Sequence, residues 1–132
     1  MNSVDKKYSV LLVDDDKFLL DMYSLKFSKS GLAVQAVIGS LQALKLLREG
    51  LSPDIVILDI VMPTMDGLEL LETMRKEKLA SKATVVMLTN QSQSADIERA
   101  KTLGVDGYIV KATTIPSEVV SEVMDIVKKH RK

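Results

Sequence analysis

Five short runs of apolar, mostly branched residues recur along the 132-residue chain, over 8–13, 32–38, 54–59, 84–89 and 106–111. Each run is followed by a stretch whose apolar residues return at helical spacing. The runs are continuous rather than alternating, the pattern of strands covered on both faces. Strand and helix repeated five times specify an α/β doubly wound domain with a parallel sheet and right-handed crossovers. The whole chain, 1–132, reads as one such domain with its core at about 8–130. Folds of this kind bind ligands at the carboxyl ends of their strands.

The helical stretches carry their own punctuation. The first runs from about Asp16 to Ser30, with Leu19, Met22, Tyr23 and Phe27 inward, and stops at Gly31. Ser40 is placed to cap a second helix carrying Leu41, Leu44 and Leu47 and ending at Gly50. Asp66 with Glu69 forms a capping box for a third, with Leu68, Leu71 and Met74 on its apolar face. A fourth, from about Ser94 to Leu103, is the least apolar. The last begins near Thr114–Pro116 and presents Val119, Val120, Val123, Met124 and Val127.

Composition narrows the function classes. Eighteen basic and eighteen acidic residues cancel, so no charge excess points to nucleic acid or to disorder. The chain has no cysteine, which excludes disulfides and thiolate metal sites and fits a reducing compartment. The first apolar run is too short for a signal peptide or a membrane span, so a cytoplasmic protein with no membrane partner is expected. The basic ending Lys128-Lys129-His130-Arg131-Lys132 reads as a solvated helix end whose charges suit the helix dipole.

Polar residues gather where the strands should end: Asp14-Asp15-Asp16, Asp59, Thr89-Asn90-Gln91 and Lys111. Neighbouring parallel strands would bring several carboxylates and one ammonium into a single crevice. Crowded carboxylates repel one another, so the arrangement suits a hard divalent cation. Asp16 fits a helix cap instead.

The motifs Leu11-Leu12-Val13-Asp14-Asp15, Ile55-Val56-Ile57-Leu58-Asp59, Met62-Pro63, Met65-Asp66-Gly67, Met87-Leu88-Thr89 and Gly107-Tyr108-Ile109-Val110-Lys111 together resemble the response-regulator receiver family. The resemblance covers about Ser9 to Lys129. It implies a flavodoxin-like five-stranded sheet in the order 2-1-3-4-5. It further implies that Asp59 accepts a phosphoryl group from a histidine kinase or histidine phosphotransfer protein, and that Mg²⁺, or Mn²⁺ in its place, is held by Asp14, Asp15, Asp59 and the backbone carbonyl of Val61. Thr89 and Lys111 would bind phosphoryl oxygens. Thr89 and Tyr108 would switch the surface of helix 4, strand 5 and helix 5 toward a downstream effector protein, and the residues two beyond Asp59 and Thr89, Val61 and Gln91, would tune hydrolysis. Such a module is no conventional enzyme. It is expected as a monomer or a weak phosphorylation-dependent dimer, without nucleic-acid contacts, acting through partners or as part of a longer protein.

With Asp14, Asp15 and Asp59 against Lys111 and one divalent cation, such a site is formally neutral before an anion arrives. One departure stands out: Ala112 occupies the position where receivers usually carry Pro after the lysine, commonly in a cis bond, so either Lys111-Ala112 is trans with a rearranged loop or the fold carries a strained cis bond. Two other classes compete. Asp14 and Asp16 match the Asp-x-Asp opening of haloacid-dehalogenase-type phosphohydrolases, a reading that leaves Asp59 unused. A pseudo-receiver that never turns over phosphate would keep the fold and lose the chemistry. An FMN-binding flavodoxin is disfavoured, since no Ser/Thr/Gly-rich phosphate loop follows the first strand.

Overall fold

The computed structural model describes residues 7–90 and 93–131. Five strands, β1 (Ser9–Asp14), β2 (Ala33–Ile38), β3 (Ile55–Leu58), β4 (Thr84–Thr89) and β5 (Gly107–Val110), alternate with five helices. The helices are α1 (Lys17–Lys29), α2 (Ser40–Arg48), α3 (Gly67–Glu77), α4 (Ser94–Thr102) and α5 (Pro116–His130). All strand pairings are parallel, in the order β2-β1-β3-β4-β5. This is the doubly wound, flavodoxin-like arrangement expected.

Successive strand residues feed opposite cores. Leu11, Val13, Val56 and Leu58 pack with Leu44, Leu71 and Met74 from α2 and α3. Their neighbours Val10, Leu12 and Ile57 pack with Phe27, Val119 and Val123 from α1 and α5. Continuous apolar sequence follows directly from burial on both faces. Register then sets the site: Val13 lies level with Leu58, Leu58 with Met87, and Thr89 with Val110. Asp14, Asp59, Thr89 and Lys111 therefore emerge at one rim.

Local signals explain most helix ends. The Asp16 carboxylate accepts from Leu19 N at 3.2 Å and caps α1. Glu69 N donates to Asp66 at 2.8 Å and Asp66 N to Glu69 at 3.0 Å, completing the capping box; such a cap contributes about 1 kcal/mol. Pro116 opens α5, where a missing N–H costs nothing.

Four local expectations need correcting. Gly39, not Ser40, is the N-cap of α2; Ser40 is the first helical residue and its hydroxyl donates to Met62 Sδ at 3.9 Å. Leu41 points outward, 55% exposed, because the buried face of α2 is Ser40, Ala43, Leu44 and Leu47. The fully buried side of α1 is Leu20, Tyr23 and Phe27, while Leu19 and Met22 are only partly covered. β2 is not covered on both faces; only Val37 is buried, because β2 is the edge of the sheet and has a neighbouring strand on one side alone.

The two rims differ in how they are held. At the strand starts, Thr84 Oγ1 and His130 Nδ1 lie 2.6 Å apart, and His130 Nε2 is 3.5 Å from Asp106 Oδ1. Arg131 Nη2 donates to Asp54 O at 2.7 Å, and its guanidinium sits 5.7 Å from the Tyr8 ring centroid. His130 and Arg131 thus fasten the end of α5 to the sheet, while Lys128 and Lys129 stay exposed, as the sequence suggests. By contrast α4 buries only Ala100. Its last turn is gripped by Arg75, whose Nε donates to Leu103 O at 2.9 Å and whose Nη2 donates to Gly104 O at 3.0 Å. Among the described residues, no helix is long and apolar enough to cross a membrane.

Candidate functional site

Asp14 is the last residue of β1, buried because β2 and β3 flank it. Its two oxygens are both used: Asp16 N donates to Oδ1 at 3.1 Å and the Lys111 ammonium donates to Oδ2 at 2.6 Å. Asp59 follows β3 directly, and Ile60 N donates to its Oδ1 at 2.8 Å. The Lys111 ammonium also lies 3.5 Å from Asp59 Oδ2. The Thr89 hydroxyl hydrogen-bonds the Asp59 carboxylate. Asp15 stays exposed at the pocket mouth, yet one oxygen each from Asp14, Asp15 and Asp59 fall within 4.8 Å of one another.

The pocket has a volume of about 250 Å³, and Asp16, Leu19, Val61 and Asn90 complete its lining. A larger cavity of about 300 Å³ lies between the α2–β3 and α3–β4 loops, beside Leu51, Lys78 and Lys82, and holds none of the expected residues. Asp14, Asp15, Asp59, Val61, Thr89 and Lys111 all line the strand-end pocket, whereas Tyr108 lies outside it and lines two other grooves. Gln91 lies outside the described residues. Asn90 lies where the sequence placed it, at the strand ends beside Thr89, while Leu19 was expected only as an inward residue of α1 and not as a lining residue.

Lys111 reaches the site without a cis bond, since no described peptide is cis. A single 3-10 turn, Lys111–Thr113, follows β5 instead, and Thr114 N donates to Lys111 O at 3.3 Å. Of the two geometries left open by Ala112, the trans bond with a rearranged loop is the one found. The lysine keeps its aim.

Burial pushes the Asp59 carboxyl above the ordinary carboxylate range, and the Asp14 charge adds to this. Lys111, the Thr89 hydroxyl and Ile60 N pull the other way without cancelling it. Burial works against the Lys111 ammonium, but the hydrogen bond to Asp14 and the charges of Asp59 and Asp14 outweigh it, so its value is raised. Three carboxylates against one ammonium leave a formal excess of negative charge. Hard oxygens this close, short of positive charge, fit a small divalent cation with ligand distances of about 2.0–2.1 Å. Soft metals would want sulfur or imidazole, and neither borders the pocket.

Removing the ammonium isolates the carboxylates. Lys111→Met is expected to cost about 2–4 kcal/mol of stability in chelator at neutral pH, because buried charge loses its partner. Millimolar Mg²⁺ should restore part of that, and urea midpoints with and without the cation measure both effects.

Tyr108, on β5, is half-buried against the α2–α3 side of the sheet. Burial raises its hydroxyl above the ordinary phenol value, and the charges of Asp96 and Asp59 add to the effect. It separates two surface grooves, one beside Ile97 and Lys101 of α4, the other beside Glu122 and Ile126 of α5. The ring lines both of these grooves and not the acidic pocket itself.

Two residues outside the expected set bear on the site. Tyr23 belongs to the core on the α1 and α5 side but feels the charges of the site; burial raises its hydroxyl, with Lys111 lowering it and Asp14 raising it. Gly67, the first residue of α3, donates its N–H to Ile60 O at 2.8 Å. A Cβ there would stand 1.9 Å from Asp59 O, so only glycine lets α3 approach β3 this closely.

A parallel sheet in this order, with an acidic pocket and a lysine at its carboxyl rim, defines a receiver module. The profile of the response regulator receiver domain matches residues 10–123, and the chain belongs to that family, the receiver domains of two-component signalling. The DNA-binding response regulator MtrA of Mycobacterium leprae is 33% identical over 114 residues, covering 86% of this chain and 48% of that protein. The response regulator SaeR of Staphylococcus aureus is 30% identical over 123 residues, covering 93% and 52%. The chain thus spans about half the length of the curated relatives it matches. Among solved structures, a LuxR-family DNA-binding response regulator from Staphylococcus aureus aligns with a TM-score of 0.79 at 30% identity, covering 91% of this chain and 98% of that one. The chemotaxis protein CheY4 of Vibrio cholerae shares the fold with a TM-score of 0.83 at 24% identity, covering 92% and 99%.

Proposed function

We propose that the domain is a phosphorylation-driven switch in which Asp59 accepts a phosphoryl group from phosphohistidine on a histidine kinase or phosphotransfer protein. The observation that carries this is the convergence of Asp14, Asp15, Asp59, Thr89 and Lys111 in one pocket. An Asp59 oxygen attacks phosphorus as the phosphorus–nitrogen bond of the donor breaks, giving an acyl phosphate and freeing the imidazole. Asp14, Asp15, Asp59 and the Val61 carbonyl would hold Mg²⁺ or Mn²⁺, which when bound supplies charge neutralisation for the transferring group. Lys111 pairs with phosphoryl oxygens and keeps Asp59 ionised against its burial. The Thr89 hydroxyl leaves the carboxylate and donates to the new phosphoryl group. Phosphodonor labelling with acetyl phosphate, followed by mapping of the acid-stable, hydroxylamine-labile adduct, tests the assignment; label on Asp14 would favour a dehalogenase-like hydrolase, and no label at all a pseudo-receiver.

The signal leaves through Thr89 and Tyr108. A hydrogen bond made only in the phosphorylated state can bias two arrangements separated by a few kcal/mol. Tyr108 then turns inward and remodels the α4–β5–α5 face for an effector protein. Thr89→Ala is expected to label at near wild-type yield while losing most of the phosphorylation-dependent gain in effector affinity; titration calorimetry with and without beryllofluoride reads this directly. Val61, 54% exposed, has no polar group to orient an attacking water. Val61→Asn is therefore expected to shorten the acyl-phosphate lifetime several-fold, measured by loss of label over time. Gln91 is the second tuning position under this reading. The balanced charge supports protein rather than nucleic-acid partners for these residues, and a cytoplasmic location goes with a kinase partner.

A further inference from the structure

The β2 edge is built differently from the rest of the surface. Ala33 N and Gly39 N donate inward to Tyr8 O and Asp14 O of the neighbouring chain segment. Strand alternation therefore turns the peptide groups of Val34, Ala36 and Ile38 outward, away from β1. Ala33, Gln35, Ala36 and Ile38 are exposed, so the edge is open on both faces of the sheet. A groove of about 180 Å³ runs beside Ala33, Val34 and Gln35, floored by Leu51 and Pro53.

Natural edges are usually blunted by charge, proline, a bulge or a covering element. β5, the other edge, is short and bracketed by Asp106 and Lys111. β2 has none of these devices. Residues 30–44 contain no charged side chain and no proline, in a chain that is 27% charged. Across a two-fold axis, a charge on the axis would meet its own copy and charges near it would meet one another; β2 carries none.

We propose that β2 pairs antiparallel with β2 of a second copy of this chain, joining two five-stranded sheets into one independently of Asp59. With the axis at Ala36, Val34 lies opposite Ile38 of the partner subunit and Ala36 opposite Ala36 of the partner subunit. Branched residues flank a small central pair, a favourable cross-strand pattern. The outward N–H and C=O groups of all three positions find partners. Such an isologous contact closes on itself and stops at two copies.

The chain has no cysteine, so one introduced thiol reports the geometry. Ala36→Cys in the whole protein, treated with a short bis-maleimide, is expected to cross-link at least about tenfold faster than Ser117→Cys on α5, with or without Asp59→Asn. Ala36→Lys places like charges across the axis and should shift sedimentation from dimer to monomer while leaving beryllofluoride binding unchanged. Wild type that sediments as a monomer at high concentration overturns the proposal, as do equal cross-linking rates at the two cysteines. A dimer that Ala36→Lys leaves intact, or one that captures an unrelated extended peptide in preference to its own copy, also overturns it.

Discussion

Asp59→Asn is expected to take up no phosphoryl group from acetyl phosphate and, in chelator at neutral pH, to be about 1–2 kcal/mol more stable than wild type. The two outcomes share a cause. Burial and the nearby Asp14 charge raise the Asp59 carboxyl despite Lys111 and Thr89. A group raised by folding stabilises the native state only while protonated. That contribution is complete below its unfolded value and is lost as pH rises through its folded value. At neutral pH the ionised Asp59 therefore works against the fold, and a neutral amide of the same shape relieves the conflict. The advantage of the variant should shrink steadily as pH falls through and below the carboxylate range. Saturating Mg²⁺ should shrink it from the other side, by stabilising wild type more than the variant. Urea unfolding across pH, with and without the cation, measures all of this. A variant no more stable than wild type in chelator would mean that Lys111 already compensates the pocket.

The second large effect is steric. Gly67→Ala is expected to lose about 3 kcal/mol and to slow phosphoryl uptake by about tenfold. The new methyl would meet Asp59 O at 1.9 Å, Asp59 C at 2.9 Å and Ile60 Cα at 3.1 Å. All three are backbone, so α3 must lift or the β3 end must bend, and Asp59 moves in either case. Gly107→Ala is the matched control. Its methyl meets Ile126 Cδ1 at 2.2 Å, the tip of a side chain that can rotate away. We expect a loss nearer 1 kcal/mol there, with phosphoryl uptake little changed. Chemical denaturation and a labelling time course separate the two substitutions.

How far the sequence could be read depended on whether the deciding interaction was local. β4 was legible to the residue, since burial on both faces leaves an unbroken apolar run. The α3 start was legible because Asp66 and Glu69 satisfy each other within one turn. The site was legible because Asp14, Asp59, Thr89 and Lys111 each terminate such a run, and a parallel sheet aligns its ends. Leu41 was misread as inward because Leu41, Leu44 and Leu47 recur at a three-residue spacing, whereas α2 buries the face of Ser40, Ala43, Leu44 and Leu47. β2 looked like its neighbours because composition does not say which strand is outermost. The ties of His130 and Arg131 to Thr84 and Asp54 join positions dozens of residues apart, and no spacing rule anticipates them. Gly67 read as part of a family motif; its contact with Asp59 needed coordinates.

The unequal fastening of the molecule has a mechanical consequence. The strand starts are riveted by α5's final residues, and one lightly moored helix, α4, rests on Ala100 and an arginine fork from α3. Under the proposed switch, a perturbation beside β4 would meet stiff ground below and yielding ground to one side. Charge rearrangement at Asp59 would, under that switch, be taken up by this compliant element rather than dissipated through the sheet.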